Sequence, residues 1–283
     1  MSLISLLLSL GGERVLSASQ WQFKTYFTSY LKFAFGFVSK DEIGKSHLNV
    51  ALLAVLPSLL VWSILWFVEE TIIEFVLITL GLIVCFGCAM ARQGYKDFLN
   101  AAMRGDEVAV AHHQMALQQD QAGEQESFGQ TLVWFNYQYY MAIILIFIFL
   151  GLPAVVFYRG LLFIAHYQFD NDADEQALFS QSAIQYSRDI LLYIDFIPTR
   201  FVAFGYMLVG HFSKASTVWL EGLLDFGQSP RQYLTRVAKT SEDLSVDQSD
   251  LTSEATLLVQ LAKRNLLLLL AATAFMTIAG VLP

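Results

Sequence analysis

Charge is what this chain has least of. Only 15% of its 283 residues are charged, against roughly 25% in an ordinary soluble domain. The deficit argues against a normally solvated globular surface, and a mean hydropathy of +0.50 agrees. Positive charge is scarcer still, with 17 Lys and Arg against 25 Asp and Glu and a net charge of −8. Nucleic-acid binding needs a concentrated basic face, so nucleic acid is not an expected partner. Cysteine is limited to Cys85 and Cys88, both inside an apolar run, and no disulfide framework is expected. The opening "MSLISLLLSLGGERVL" has no basic residue ahead of its apolar core and no A-x-A-like site. It reads as a retained membrane-entering or interfacial helix rather than a cleaved signal peptide.

Apolar length is what the chain has in abundance. A helix needs about 20 apolar residues to span the hydrocarbon core. Residues 48–68, 75–91, 140–157 and 265–283 qualify as spans, and 197–212 is a fifth span or a re-entrant segment. The polar segments 92–138 and 213–264 lie between them. The expected fold class is all-α: a single polytopic membrane domain with four to five transmembrane helices plus interfacial and cytoplasmic helices. The lipid bilayer is its first partner.

Basic residues set the orientation, because they stay on the cytoplasmic side. Residues 1–47 carry Arg14, Lys24, Lys32, Lys40 and Lys45, whereas the link after residue 68 carries only Glu69, Glu70 and Glu74. The N-terminus is therefore expected in the cytoplasm and that link outside. A spanning N-terminal helix would reverse the assignment. "WQFKTYFTSYLKFAFGFV" puts Phe23, Tyr26, Tyr30, Phe33 and Phe37 at helical spacing, which suits either an interfacial helix or a helix packed on the bundle. The Gln-rich 118–127 reads as a solvated linker.

Three motif-like stretches carry little chemistry. Gly44-Lys45-Ser46 ends like a phosphate-binding loop, but Ser39 stands where the first glycine belongs and a membrane span follows. A basic juxtamembrane anchor is the expected role. Cys85 and Cys88, with Gly81, are expected on one helix face for close packing. His112 and His113 point to different faces of a helix. No metal site and no cofactor is expected.

The conspicuous residues are charges in apolar surroundings. Arg159 lies between "GLPAVVFY" and "LLFIA", and "LLYIDFIPTR" holds Asp195, Pro198 and Arg200 within six residues. An arginine at the bilayer centre costs about 2.5–3.5 kcal/mol on insertion scales. Each such charge must snorkel, pair, or line a polar cavity. Pro153 and Pro198 are expected to break their helices nearby. Two readings follow: an interfacial turn with snorkelling charges, or a polar pocket shared by Arg159, Asp195 and Arg200. The second suits an anionic group, because a guanidinium binds carboxylate or phosphate bidentately. Trp134, Tyr137, Tyr139 and Tyr140 read as an interfacial aromatic belt.

In their order, "ARQGYKDFLNAAMRGD", "LVWFNYQYY", "GLPAVVFYRG" and "DFIPTR" followed by "LVGH" resemble the AmpE family. These are bacterial inner-membrane proteins encoded beside the AmpD amidase and associated with β-lactamase induction. The resemblance implies a regulatory or sensory role in the response to β-lactams; a non-enzymatic regulator is the leading expectation, with an anionic small molecule, suited to the arginines, or a membrane partner protein as its ligand. More distantly, the chain is similar to the cobalamin-biosynthesis proteins CobD and CbiB, which make an amide in an ATP-dependent reaction. Asn136, Tyr158, Arg159, Asp195, Pro198 and Arg200 match that pattern. Its Asn-Thr-x-Asp stretch is replaced by "LLFIAH", and an acidic partner of Asp195 is missing. Those carboxylates would be the natural Mg²⁺ ligands. The alternative expectation is thus an enzyme related to corrinoid amide synthases, acting on an unknown substrate. The ligand-binding candidates are Asn136, Tyr158, Arg159, Asp195 and Arg200. No catalytic residue is assigned, and the sequence sets no oligomeric state.

Overall fold

The computed structural model describes residues 2–16, 19–36, 46–68, 70–118, 126–167, 179–243 and 252–280. Lys40, Gly44, Lys45, Glu69 and most of the Gln-rich linker lie outside them. Every regular element among the described residues is helical. In chain order these are α1 (Ser2–Val15), α2 (Phe23–Ala34), α3 (His47–Phe67), α4 (Thr71–Cys85), α5 (Ala89–Met103) and α6 (Glu107–Gln118). Then come α7 (Phe128–Asn136), a π-helical turn (Tyr137–Met141), α8 (Ala142–Ala165), α9 (Gln181–Val209), α10 (Phe212–Leu223), α11 (Pro230–Thr240) and α12 (Ser253–Ile278).

Among the described residues, four helical runs are long and apolar enough to cross a membrane: His47–Phe67, Phe128–Ala165, Gln181–Val209 and Ser253–Ile278. Thr71–Cys85 and Ala89–Met103 together make a fifth if they count as one broken span. The expected span 75–91 is not continuous. Gly87 has φ +76, a conformation that glycine adopts without steric cost, and the helix stops ahead of it. Cys85 therefore ends α4 while Cys88 stands before α5. The two cysteines do not share a helix face, and both are free thiols.

The prolines behave differently from each other. In α8 the break lies at Gly151 (φ +79, ψ −178), two residues before Pro153. In α9 the helix runs through Pro198 without ending, contrary to the expected break. Side-chain donors occupy carbonyls of that turn: Thr199 Oγ1 donates to Asp195 O at 2.7 Å and Arg200 Nη1 to Phe196 O at 3.1 Å.

The chain forms two compact units. One comprises residues 1–86, 143–194 and 279–283, the other 87–142 and 195–278. In the first, α1 packs along α4, where an added Cβ on Gly12 would lie 3.1 Å from Ile83. Gly81 likewise admits Leu152, and Gly160 admits Phe27. The α2 face that is buried is Phe23, Phe27, Leu31 and Ala34. Tyr26 and Phe33 are exposed, so the aromatic stripe is divided between a packed face and an open one.

In the second unit, α5 and α6 form a hairpin turned at Gly105 (φ +71). Phe98, Ala101, Val110 and Leu117 pack with Phe128, Leu132, Phe135 and Ala255. A capping box starts α7, with Ser127 and Gln130 each accepting from the other's backbone N–H. This satisfies two end donors that the fold would otherwise leave bare. Trp134, Tyr137 and Tyr139 are buried rather than ringed at an interface. An aromatic belt and an aromatic core have the same composition, and only tertiary packing separates them.

Candidate functional site: a buried polar cluster in the second unit

The cluster starts from helical register. From Asp195 onward, the inward face of α9 is Asp195, Thr199, Val202, Ala203 and Tyr206, all buried. Asp195 is 2% exposed. Its Oδ1 accepts from the Tyr137 hydroxyl at 2.7 Å. Tyr137 opens the π-helical turn Tyr137–Met141. A π turn inserts an extra residue into the helical repeat, which rotates the side chains that follow it, and such turns are concentrated at functional sites. Tyr137 also stacks on Trp134, with centroids 5.0 Å apart.

Arg200 is 7% exposed. Its Nη2 donates to Asp225 O at 3.1 Å and Gly222 O at 3.5 Å, and its Nη1 to Phe196 O and Thr199 Oγ1. The guanidinium carbon lies 3.7 Å from the Phe196 ring centroid and 4.6 Å from that of Tyr233. Two aromatic faces and three carbonyls thus surround the cation, and its Nε is buried without a hydrogen-bond partner among the described residues. Asn136 Oδ1 and Gln138 Oε1 are also buried without partners among those residues.

Of the five candidates, Asn136, Asp195 and Arg200 fall in this unit. Tyr158 and Arg159 belong to the first unit, on α8, where Tyr158 is 1% and Arg159 8% exposed. The Arg159 guanidinium sits 5.3 Å from the Phe23 ring centroid, a cation–π distance. Among the described residues, no group of three or more His, Cys, Asp or Glu side chains is arranged to hold a metal.

Several contributors carry weak local signals in sequence. Asn265 on α12 donates to Val202 O at 2.9 Å, and its carbonyl oxygen sits where a Cβ on Gly205 would be. An asparagine heading an apolar run was the available clue. Glu126 and Arg231 form a largely buried pair, 2.7 Å from Nη2 to Oε2, with Thr235 on the other carboxylate oxygen. Burial pulls the Arg231 pKa down and Glu126 opposes that shift. They are 105 residues apart, so no local pattern could join them. Tyr233 donates to Trp219 O at 3.0 Å. Burial pushes its phenol pKa up to about 12 while Arg200 opposes the shift.

Spanning helices with acid, base and amide groups packed inside them define a multi-pass helical membrane protein with a polar interior. The chain belongs to the AmpE family: the family model described as regulatory signalling modulator protein AmpE matches residues 1–283. It is 27% identical over 237 residues to Protein AmpE of Shigella flexneri, covering 80% of this chain and 76% of that protein. No solved structure matches it. The role attached to the family is regulatory.

Proposed function

We propose that this protein is a bacterial inner-membrane regulator of the response to β-lactams, acting on β-lactamase induction. Its input is an anionic small molecule or a membrane partner protein. The observation that carries this reading is Asp195, an almost fully buried carboxylate held by Tyr137 on a π-helical turn within an apolar helical run. An ionisable group at membrane depth is costly and is kept where it serves a task. Arg200, in the same unit, supplies positive charge that favours an anion. The N-terminus is cytoplasmic on this reading, and the link around Glu70 is periplasmic.

Two measurements test it. In a bacterium lacking its own copy of the gene, β-lactamase activity after exposure to a β-lactam should change, and this chain should restore the original response. An unchanged response in the deletion strain would contradict the regulatory role. In a Cys-free background, an impermeant thiol reagent should label Glu70→Cys from outside intact cells and miss Lys96→Cys. The opposite pattern would reverse the topology.

A further inference from the structure

We propose that α10 and the loop following it lie against the bilayer, with their exposed apolar side chains covered by acyl chains. Phe212, Leu220, Leu224 and Phe226 are all exposed, the last two at 76% and 78%. On a helix of 3.6 residues per turn, Phe212 and Leu220 occupy one flank, and Leu224 follows at the C-cap. Lys214, Thr217 and Glu221 occupy the other, so the segment is amphipathic in the manner of an interfacial helix.

Continuity with the spanning helix identifies the occupant. Ile197, Phe201, Phe204 and Leu208 form an exposed stripe on α9 at a helical spacing. On a spanning helix, such a stripe faces lipid. Trp219 of α10 packs on Phe204, with centroids 5.4 Å apart, and Phe226 stacks on Phe196, at 4.8 Å and 7°. These two ring contacts join the exposed apolar stripe of α9 to α10 and its loop.

A second observation agrees independently. A helix end near hydrocarbon cannot leave its carbonyls bare. At the end of α10, Arg200 donates to Gly222 O and Asp225 O, and Tyr233 donates to Trp219 O. The Trp219 indole N–H is also used, donating to Arg200 O at 3.4 Å. On this reading Arg200 is a positioning residue that satisfies a helix end at the edge of the bilayer.

Spin labels at single cysteines test the proposal in protein reconstituted into phosphatidylethanolamine–phosphatidylglycerol vesicles. The sites are Leu220→Cys, Leu224→Cys, Thr217→Cys and Glu221→Cys, with Cys85 and Cys88 replaced by alanine. All four are surface positions, so labels leave the core intact. Labels at 220 and 224 should collide mainly with dissolved oxygen. Labels at 217 and 221 should collide mainly with a water-soluble nickel chelate. Chelate access at 220 and 224 would overturn the proposal and mark a surface for a soluble partner. Spin–spin broadening at those sites would overturn it in favour of a second copy of the chain.

Discussion

At the scale of single residues, the hydrogen bond from Tyr137 to Asp195 is the most consequential contact of the cluster. Removing its donor leaves a buried carboxylate short of a partner, which costs about 1–3 kcal/mol. Tyr137→Phe should therefore lower the thermal unfolding midpoint in detergent, whereas Tyr193→Phe, at an exposed tyrosine on α9, should leave it unchanged. Equal effects would place no special weight on the bond. Tyr233 supplies a pH signature. Burial raises its pKa from 10.0 to about 12, so its contribution to stability is complete below pH 10 and is lost as the pH rises to about 12. Alkaline unfolding should steepen in that window, and the Tyr233→Phe variant should show a shallower loss there. Asp195, Arg159 and Arg200 were legible in the sequence because a charge among apolar residues is conspicuous in composition alone. Tyr137 was not, because a tyrosine in an aromatic-rich run has the same local signature at an interface as in a core.

At the scale of elements, the spanning helices were legible from apolar length, since lipid solvation rewards uninterrupted hydrophobic runs. Their breaks were less so. A break was expected at Pro198, with the proline opening a new helix, yet the helix runs through it, and Thr199 and Arg200 donate to carbonyls of the same turn. Gly151 and Gly87 take the positive φ that proline cannot, and they set the actual breaks. The contact of α9 with α12 allows packing to be weighed against hydrogen bonding. Interhelical hydrogen bonds in membranes average about 0.6 kcal/mol, so Asn265→Leu should be mildly destabilising through its lost bond to Val202. A larger side chain at Gly205 would collide with Asn265, and overpacking typically costs about 1–3 kcal/mol. Gly205→Leu should thus reduce the folded yield more than Asn265→Leu, and the reverse order in a detergent thermal-shift assay would mean that the hydrogen bond dominates. Shrinking the neighbour should relieve the clash, with Gly205→Leu combined with Asn265→Ala recovering part of the yield.

At the scale of the whole molecule, membership of the AmpE family and the regulatory role attached to it agree with a multi-pass helical chain whose interior holds charge. The fold class was legible because low charge content and long apolar runs together argue against an ordinary soluble domain. The long-range polar pairs were not, since Glu126 and Arg231, or Tyr137 and Asp195, meet only through tertiary packing. The central claim is that the Asp195 cluster serves regulation and not only folding. Its most direct test is β-lactamase activity, with and without a β-lactam, in cells lacking the gene and carrying either Asp195→Asn or Asp189→Asn. Asn keeps the shape and removes the charge, while Asp189 forms a partly exposed pair with His47. With both variants present in the membrane at wild-type levels, Asp195→Asn should fail to restore the wild-type response and Asp189→Asn should restore it. A full response from Asp195→Asn would contradict the account.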